Sequence, residues 1–129
     1  MLSKPTPRVL CVDDDEECRE MLSVLLKTLQ IETKGVGTAA QAFSLIQAER
    51  FDLYLLEAWL PDLDGFELCR RMRDSDPLTP ILFFSGAAYD ADKKKGTEAG
   101  ADAYVIKPDV DGLVGGVAQF LSRSKSVAA

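Results

Sequence analysis

The 129-residue sequence contains no histidine. Its absence excludes every histidine-based catalytic triad, every histidine-ligated metal site and the most common general base. Cysteine is also scarce: there are three, and no Cys-x-x-Cys pair. An odd number of cysteines in a chain of this size does not suit a disulfide scaffold and fits a reducing, cytoplasmic environment. We therefore expect Cys11, Cys18 and Cys69 to pack in the core.

Long hydrophobic runs and an excess of positive charge are missing as well. The longest apolar runs are too short for a membrane span or a signal peptide. A net charge of −6 at pH 7 argues against a broad nucleic-acid surface. The length suits a single domain with a proper core. We expect one domain over residues 1–129, with a core at about 7–122 and loose ends at 1–6 and 123–129.

Apolar runs of strand length alternate with segments of helical period. Strands are predicted near residues 8–12, 31–36, 51–57, 80–85 and 103–106. Apolar residues at helical spacing lie between and after them, for example Met21, Leu22, Leu25, Leu26 and Leu29. Thr38 with Gln41 and Asp64 with Glu67 are helix start signals, and Gly100 is a stop signal for a helix over 90–99. Five β units, each followed by a helix, predict an α/β fold whose parallel sheet is covered on both faces.

Polar side chains follow four of the predicted strands. Asp13 and Asp14 come after the first strand, Glu57 and Ser85 end the third and fourth, and Lys107 comes after the fifth. Because the carboxyl ends of parallel strands share one rim, we expect these side chains to converge there. Oxygen ligands without nitrogen or sulfur suit Mg²⁺, and a hydroxyl with an ammonium suits phosphoryl oxygens. The set predicts phosphoryl transfer to a carboxylate, or phosphoryl recognition at one.

Four motifs follow the strands in order: Val12-Asp13-Asp14-Asp15, Leu60-Pro61-Asp62-Leu63-Asp64-Gly65, Phe84-Ser85-Gly86-Ala87 and Gly100-Ala101-Asp102-Ala103-Tyr104-Val105-Ile106-Lys107-Pro108. Over about residues 7–122 they resemble the receiver domain of bacterial two-component response regulators. The resemblance implies a flavodoxin-like (CheY-like) three-layer sandwich of five helices and a five-stranded parallel sheet in the order 2-1-3-4-5. It also implies a signalling module rather than an enzyme. Its partners would be a sensor histidine kinase, a phosphotransfer protein or other signalling proteins, and neither nucleic acid nor a membrane.

The resemblance also assigns a metal site at the rim. Mg²⁺ would be bound directly by Asp14, through water by Asp13, by the acid at position 57 and by the backbone carbonyl of Trp59.

A phosphoryl-binding group and a switch are implied in the same way. Lys107 would contact phosphoryl oxygens, and the Lys107–Pro108 peptide bond would be cis. Ser85 and Tyr104 would form the switch pair: the hydroxyl moves toward a phosphoryl oxygen, and the aromatic ring follows it inward.

The departure from the family falls on Glu57, because receiver domains accept phosphate on an aspartate at this position. Glutamate keeps the charge but sets the carboxylate roughly 1.5 Å further out, the length of one carbon–carbon bond. A misplacement of about 1 Å costs on the order of a hundredfold in a positioned reaction. The longer side chain would also crowd the metal, so we expect Mg²⁺ binding to be weakened or lost.

Three outcomes follow for Glu57. It imitates a phosphorylated aspartate and holds an active-like state, it pairs with Lys107 in a fixed binding module, or it still accepts phosphate weakly as in a conventional receiver. We expect phosphate-independent behaviour. A Mg²⁺-dependent phosphohydrolase-like enzyme is the alternative from another class, and the lack of a long insertion that could serve as a lid disfavours it.

Overall fold

The computed structural model describes residues 5–128, with side chains as far as residue 123, and strands and helices alternate strictly along it. The strands, β1 to β5, are Arg8–Val12, Glu32–Val36, Leu53–Leu56, Ile81–Ser85 and Ala103–Ile106. The helices, α1 to α5, are Glu16–Lys27, Ala39–Ala48, Gly65–Ser75, Asp90–Ala99 and Val110–Ala128. All five predicted strands and the helices between them are therefore confirmed.

The strands form one parallel sheet in the order β2-β1-β3-β4-β5. This is the order that the resemblance implied. The three inner strands, β1, β3 and β4, consist almost entirely of buried residues, whereas the edge strands β2 and β5 are partly exposed. Inner strands are buried on both sides because helices cover both faces of the sheet.

Two separate hydrophobic clusters lie on the two faces, as expected for a three-layer sandwich. One face of the sheet packs against helices α2, α3 and α4, and its largest fully buried side chain is Phe83. The other face packs against α1 and α5, through residues such as Leu22 and Leu113. The three cysteines are buried and unpaired within these clusters, as predicted.

The helix signals in the sequence are confirmed in part. Thr38 caps α2 by accepting a hydrogen bond from the Gln41 amide (3.1 Å), and Asp64 caps α3. The side chains expected to complete the capping boxes do otherwise: Gln41 accepts from the backbone of Gly37, and Glu67 pairs with two arginines of its own helix. Gly100 ends α4 in the left-handed region at φ 108°.

The C-terminal end of the domain differs from the prediction. Helix α5 continues to Ala128, beyond the expected end of the core at residue 122. At the other end, the expected loose segment 1–6 falls mostly on residues 1–4, which lie outside the described residues. Among the residues that are described, no helix combines the length and the apolar character needed to cross a membrane.

Candidate functional site

Four of the predicted rim residues meet at the carboxyl end of the sheet. The Lys107 ammonium lies 2.8 Å from Asp13 Oδ2 and 2.8 Å from Glu57 Oε2. The Ser85 hydroxyl donates a hydrogen bond to Glu57 Oε1. Residues from the ends of four different strands thus form a single connected cluster, because parallel strands deliver their following residues to one edge.

Asp14 does not join this cluster. Asp13 is 3% exposed, whereas the next residue, Asp14, is exposed. Both acids lie beyond the end of β1, and the chain bends at Asp14, so that only Asp13 turns into the site. In the described part of the chain the Asp14 carboxylate makes no hydrogen bond, whereas both oxygens of Asp13 accept one.

Glu57 is 8% exposed, and both of its oxygens are hydrogen-bonded. Oε1 accepts from the Ser85 hydroxyl and from the Ala58 amide (2.7 Å), and Oε2 accepts from Lys107. A buried carboxylate remains charged only where donors and an opposite charge replace its water. Pairing with Lys107 was one of the three outcomes that the sequence left open for Glu57, and the side chain contacts both Lys107 and Ser85.

Lys107 supplies the positive charge between the two buried acids. Burial by itself would lower the pKa of Lys107, but the hydrogen bonds to Asp13 and Glu57 outweigh it and raise the pKa above its ordinary value. The ammonium is therefore charged at neutral pH. Its peptide bond to Pro108 is cis, as the resemblance implied, and its backbone amide donates to the Ser85 carbonyl (2.9 Å).

Arg19 is a site neighbour that was not predicted from the sequence. Its guanidinium donates to the Asp13 carbonyl (2.7 Å), which adds a second positive charge beside the acids. Two glycines make room for it: a Cβ added at Gly35 would lie 3.0 Å from Arg19 Cδ, and one at Gly37 would lie 3.3 Å from Nη1. In the sequence, Arg19 is a single arginine one turn after the start of α1. Such arginines are too common to identify a functional site.

A chain of hydrogen bonds links Glu57 to Tyr104. Ser85 Oγ donates to Glu57 and accepts from the Ala87 amide (3.1 Å), and the Ala87 carbonyl accepts from the Tyr104 hydroxyl (2.6 Å). The Tyr104 ring stacks on Phe83 with 5.3 Å between centroids, and burial raises the pKa of the Tyr104 phenol. The aromatic ring thus points inward and is connected to the acid at the rim.

The β3–α3 loop is held tightly beside Glu57. A Cβ added at Gly65 would lie 2.1 Å from the Glu57 carbonyl oxygen, so only glycine fits at the start of α3. Asp62 accepts hydrogen bonds from the first two amides of α2, both at 2.9 Å, and these bonds lower the pKa of its carboxyl group. Trp59 is 57% exposed and meets Phe66 edge-on at 6.4 Å.

The site does not fit a bound Mg²⁺ in this arrangement, although its oxygen donors have suitable chemistry. All four carboxylate oxygens of Asp13 and Glu57 already accept hydrogen bonds, two of them from the Lys107 ammonium. Within residues 5–128, no three acids, cysteines or histidines are grouped so that they could hold a metal ion. The Lys107 ammonium thus supplies the positive charge that faces the two acids.

Comparison with known proteins gives consistent matches. Residues 9–117 match the family model described as the response regulator receiver domain. The DNA-binding response regulator MtrA of Mycolicibacterium smegmatis is 38% identical over 101 residues, which are 78% of this chain and 44% of that protein. The transcriptional regulatory protein AfsQ1 of Streptomyces coelicolor is 36% identical over 102 residues, which are 79% of this chain and 45% of that protein. The chain thus spans less than half the length of these relatives.

Solved structures give the same picture. A CheY-like response regulator receiver domain protein from Methanospirillum hungatei has a TM-score of 0.89 at 28% identity, covering 95% of this chain and 98% of that one. The BeF3-activated DrrB receiver domain has a TM-score of 0.84 at 30% identity, covering 92% of this chain and 99% of that one.

Proposed function

The chain belongs to the response regulator receiver domain family, and we propose that it is a phosphate-independent member, held in an active-like state by Glu57. It acts in two-component signal transduction through protein–protein contacts and has no enzymatic turnover. One observation carries the proposal: the Glu57 carboxylate already holds the Ser85 hydroxyl and the Lys107 ammonium. These are the two groups that the resemblance assigns to phosphoryl oxygens.

The length of the glutamate side chain supports partial mimicry of a phosphorylated aspartate. The extra methylene carries the carboxylate roughly 1.5 Å beyond an aspartate's. From there Oε1 reaches Ser85, and Tyr104 is inward and hydrogen-bonded to the Ala87 carbonyl. The mimicry is partial because the carboxylate carries one negative charge, whereas a phosphoryl group carries about −1.5 to −2.

The same contacts make Glu57 a poor phosphoacceptor. A carboxylate that attacks a phosphodonor needs an oxygen free to approach the phosphorus in line. Both Glu57 oxygens are engaged by donors and the side chain is almost fully buried. Attack therefore requires first breaking the contact with Lys107 or with Ser85.

Receiver domains generally bind Mg²⁺ at the phosphorylation site, and here we propose that this binding is weakened or lost. The ligands would be Asp13, Asp14, Glu57 and the backbone carbonyl of Trp59. A cation at these acids would compete with Lys107, which holds one oxygen of Asp13 and one of Glu57.

The proposed partners are a sensor histidine kinase, a phosphotransfer protein or other signalling proteins. The MtrA relatives are named DNA-binding, but the match covers less than half of their length. A net charge of −6 gives no support to a nucleic-acid surface on this domain.

Intact-mass spectrometry after incubation with acetyl phosphate and Mg²⁺ tests the proposal. We expect no mass increase for the natural chain and the addition of one phosphoryl group to Glu57→Asp, which has the family's acceptor. Addition of a phosphoryl group to the natural chain as readily as to Glu57→Asp would refute phosphate independence. Sustained hydrolysis of the donor would instead favour the phosphohydrolase alternative.

A further inference from the structure

Helix α4 has almost no apolar surface of its own to bury. Its sequence, Asp90-Ala91-Asp92-Lys93-Lys94-Lys95-Gly96-Thr97-Glu98-Ala99, contains no side chain larger than alanine among its apolar residues. Its buried positions are Asp92, Gly96 and Ala99. Glycine and alanine remove little apolar area from water when they are buried. The attachment of α4 to the sheet therefore depends on what the sheet projects toward the helix.

The Tyr104 ring from β5 fills this interface. A Cβ added at Gly96 would lie 2.9 Å from Tyr104 Cδ2 and 3.4 Å from Phe83 Cδ2. Side-chain carbons do not approach a ring carbon as closely as 2.9 Å without displacing it. The bare backbone at Gly96 thus forms a slot into which the ring fits.

The ring has little freedom to yield inside this slot. It stacks on Phe83 with an interplanar angle of 23°, and its hydroxyl donates to the Ala87 carbonyl. Moving the ring away from α4 would break the stacking or the hydrogen bond. An added methyl group at position 96 therefore acts on the position of the ring as well as on the helix.

Asp92 lies one turn before Gly96 and is 8% exposed. Its carboxylate accepts from the Tyr89 amide (3.1 Å) at the start of the helix. This contact secures the first turn of α4 to its own preceding residue and provides no apolar attachment to the sheet. The rings of Tyr104 and Phe83 are the apolar groups nearest Gly96, and the Tyr104 ring is the closer of the two.

We propose that Gly96 and Tyr104 form a latch, in which the ring seated on the glycine holds α4 against the sheet. The hydrogen bonds from Tyr104 through Ala87 and Ser85 connect this latch to Glu57. Gly96 is a positioning residue: it contacts the switch ring and not the rim. The signalling meaning of the latch rests on the proposed function, whereas its effect on α4 packing is measured without it.

Gly96→Ala is the informative variant, and Gly115→Ala in α5 is its matched control. An alanine in a helix interior is normally more stable than a glycine. At Gly115 an added Cβ meets nothing within 4 Å, so only this propensity gain remains. At Gly96 the same gain is opposed by the overlap with Tyr104. We therefore expect Gly115→Ala to stabilise its helix and Gly96→Ala to destabilise α4.

Hydrogen exchange of the α4 amides gives the first readout. We expect Gly96→Ala to raise their exchange rates about tenfold, within the range that overpacking produces, and to leave α1 and α2 unchanged. Gly115→Ala is expected to leave α4 exchange unchanged or slower. In a Tyr104→Ala background the ring is gone, and Gly96→Ala should then behave as Gly115→Ala does.

Fluorine NMR of the chain labelled with 3-fluorotyrosine gives the second readout. The chain has three tyrosines, and Tyr54→Phe and Tyr89→Phe assign the signal of Tyr104. We expect Gly96→Ala to shift the fluorine resonance of Tyr104 toward the chemical shift of a solvent-exposed tyrosine. A change confined to the helix would leave this resonance in place.

The latch is overturned if Gly96→Ala and Gly115→Ala give the same α4 exchange and the Tyr104 signal does not move. It is equally overturned if the effect of Gly96→Ala persists without the ring. Should Gly96→Ala not fold, Tyr104→Ala must raise α4 exchange more than Tyr104→Phe does, and equal protection in both variants sinks the proposal. Phosphorylation of the natural chain would refute the proposed function and leave these exchange results as they are.

Discussion

Lys107 and Glu57 form a direct ion pair, with 2.8 Å between Nζ and Oε2. The pair joins the end of β3 to the residue after β5, across the intervening strand β4. Asp13 shares the same ammonium at 2.8 Å, so one cation balances two buried acids. This relationship makes Lys107 the residue on which the electrostatic stability of the rim depends.

Replacing Lys107 with alanine removes the ammonium that contacts both Asp13 and Glu57, and leaves Arg19, at the Asp13 carbonyl, as the nearby positive charge. Because the lysine is partly exposed, we expect a loss of about 2 kcal/mol in the free energy of unfolding, below the range for fully buried pairs. Millimolar Mg²⁺ should restore part of this loss in the variant and change the natural chain little. Urea denaturation with and without Mg²⁺ measures both effects. Lys94→Ala, at a largely exposed lysine, is the control, and equal stability of the two variants would contradict the prediction.

The contribution of Lys107 has a defined pH dependence. Its pKa in the folded chain is raised above the ordinary value of 10.5, so the folded state favours the protonated form. The stability difference between the natural chain and Lys107→Ala should be constant from neutral pH up to pH 10.5 and fall as the pH rises through the folded value. Denaturation midpoints of both proteins across the alkaline range measure the difference. A difference that grows with pH would show that the sign is wrong.

Ser85 is fully buried. Its hydroxyl donates a hydrogen bond to Glu57 and accepts one from the Ala87 amide. Ser85→Ala removes both hydrogen bonds, one of them to a charged group. We expect a loss of about 2 kcal/mol in the free energy of unfolding, measured in urea. Ser23→Ala, on the exposed face of α1, should change stability by less than about 0.5 kcal/mol. The same small effect at Ser85 would mean that its contacts do not contribute.

At Gly65, the start of α3 lies directly against the backbone of Glu57 and Ala58. In Gly65→Ala the new Cβ would overlap the Glu57 carbonyl oxygen and the Ala58 backbone, and neither can rotate away. We expect a loss of about 4 kcal/mol, at the severe end for single substitutions. Thermal unfolding beside Gly115→Ala, an open helical glycine, measures the difference. Similar unfolding temperatures for the two variants would count against this close approach.

Much of the fold and part of the site were predictable from local patterns. Strand period, helix period and stop signals such as Gly100 depend on neighbouring residues, and these are visible in a sequence. Convergence of Asp13, Glu57, Ser85 and Lys107 followed from the geometry of parallel sheets. The contacts of Arg19 and the slot at Gly96 were not predictable, because they depend on how segments far apart in the chain pack side chain against side chain.

The sequence by itself determined which groups reach the rim and that the acid at position 57 is one methylene longer than an aspartate. The parallel direction of the strands follows from its alternating pattern, whereas the strand order was implied by the resemblance to receiver domains. Only the tertiary structure decided how the longer acid is used. It brings the ends of β3, β4 and β5 close enough for Glu57 to hold Ser85 and Lys107 together, while the bend of the chain at Asp14 leaves that residue exposed to solvent. These distances are set by the packing of helices on both faces of the sheet, and no local run of residues contains them.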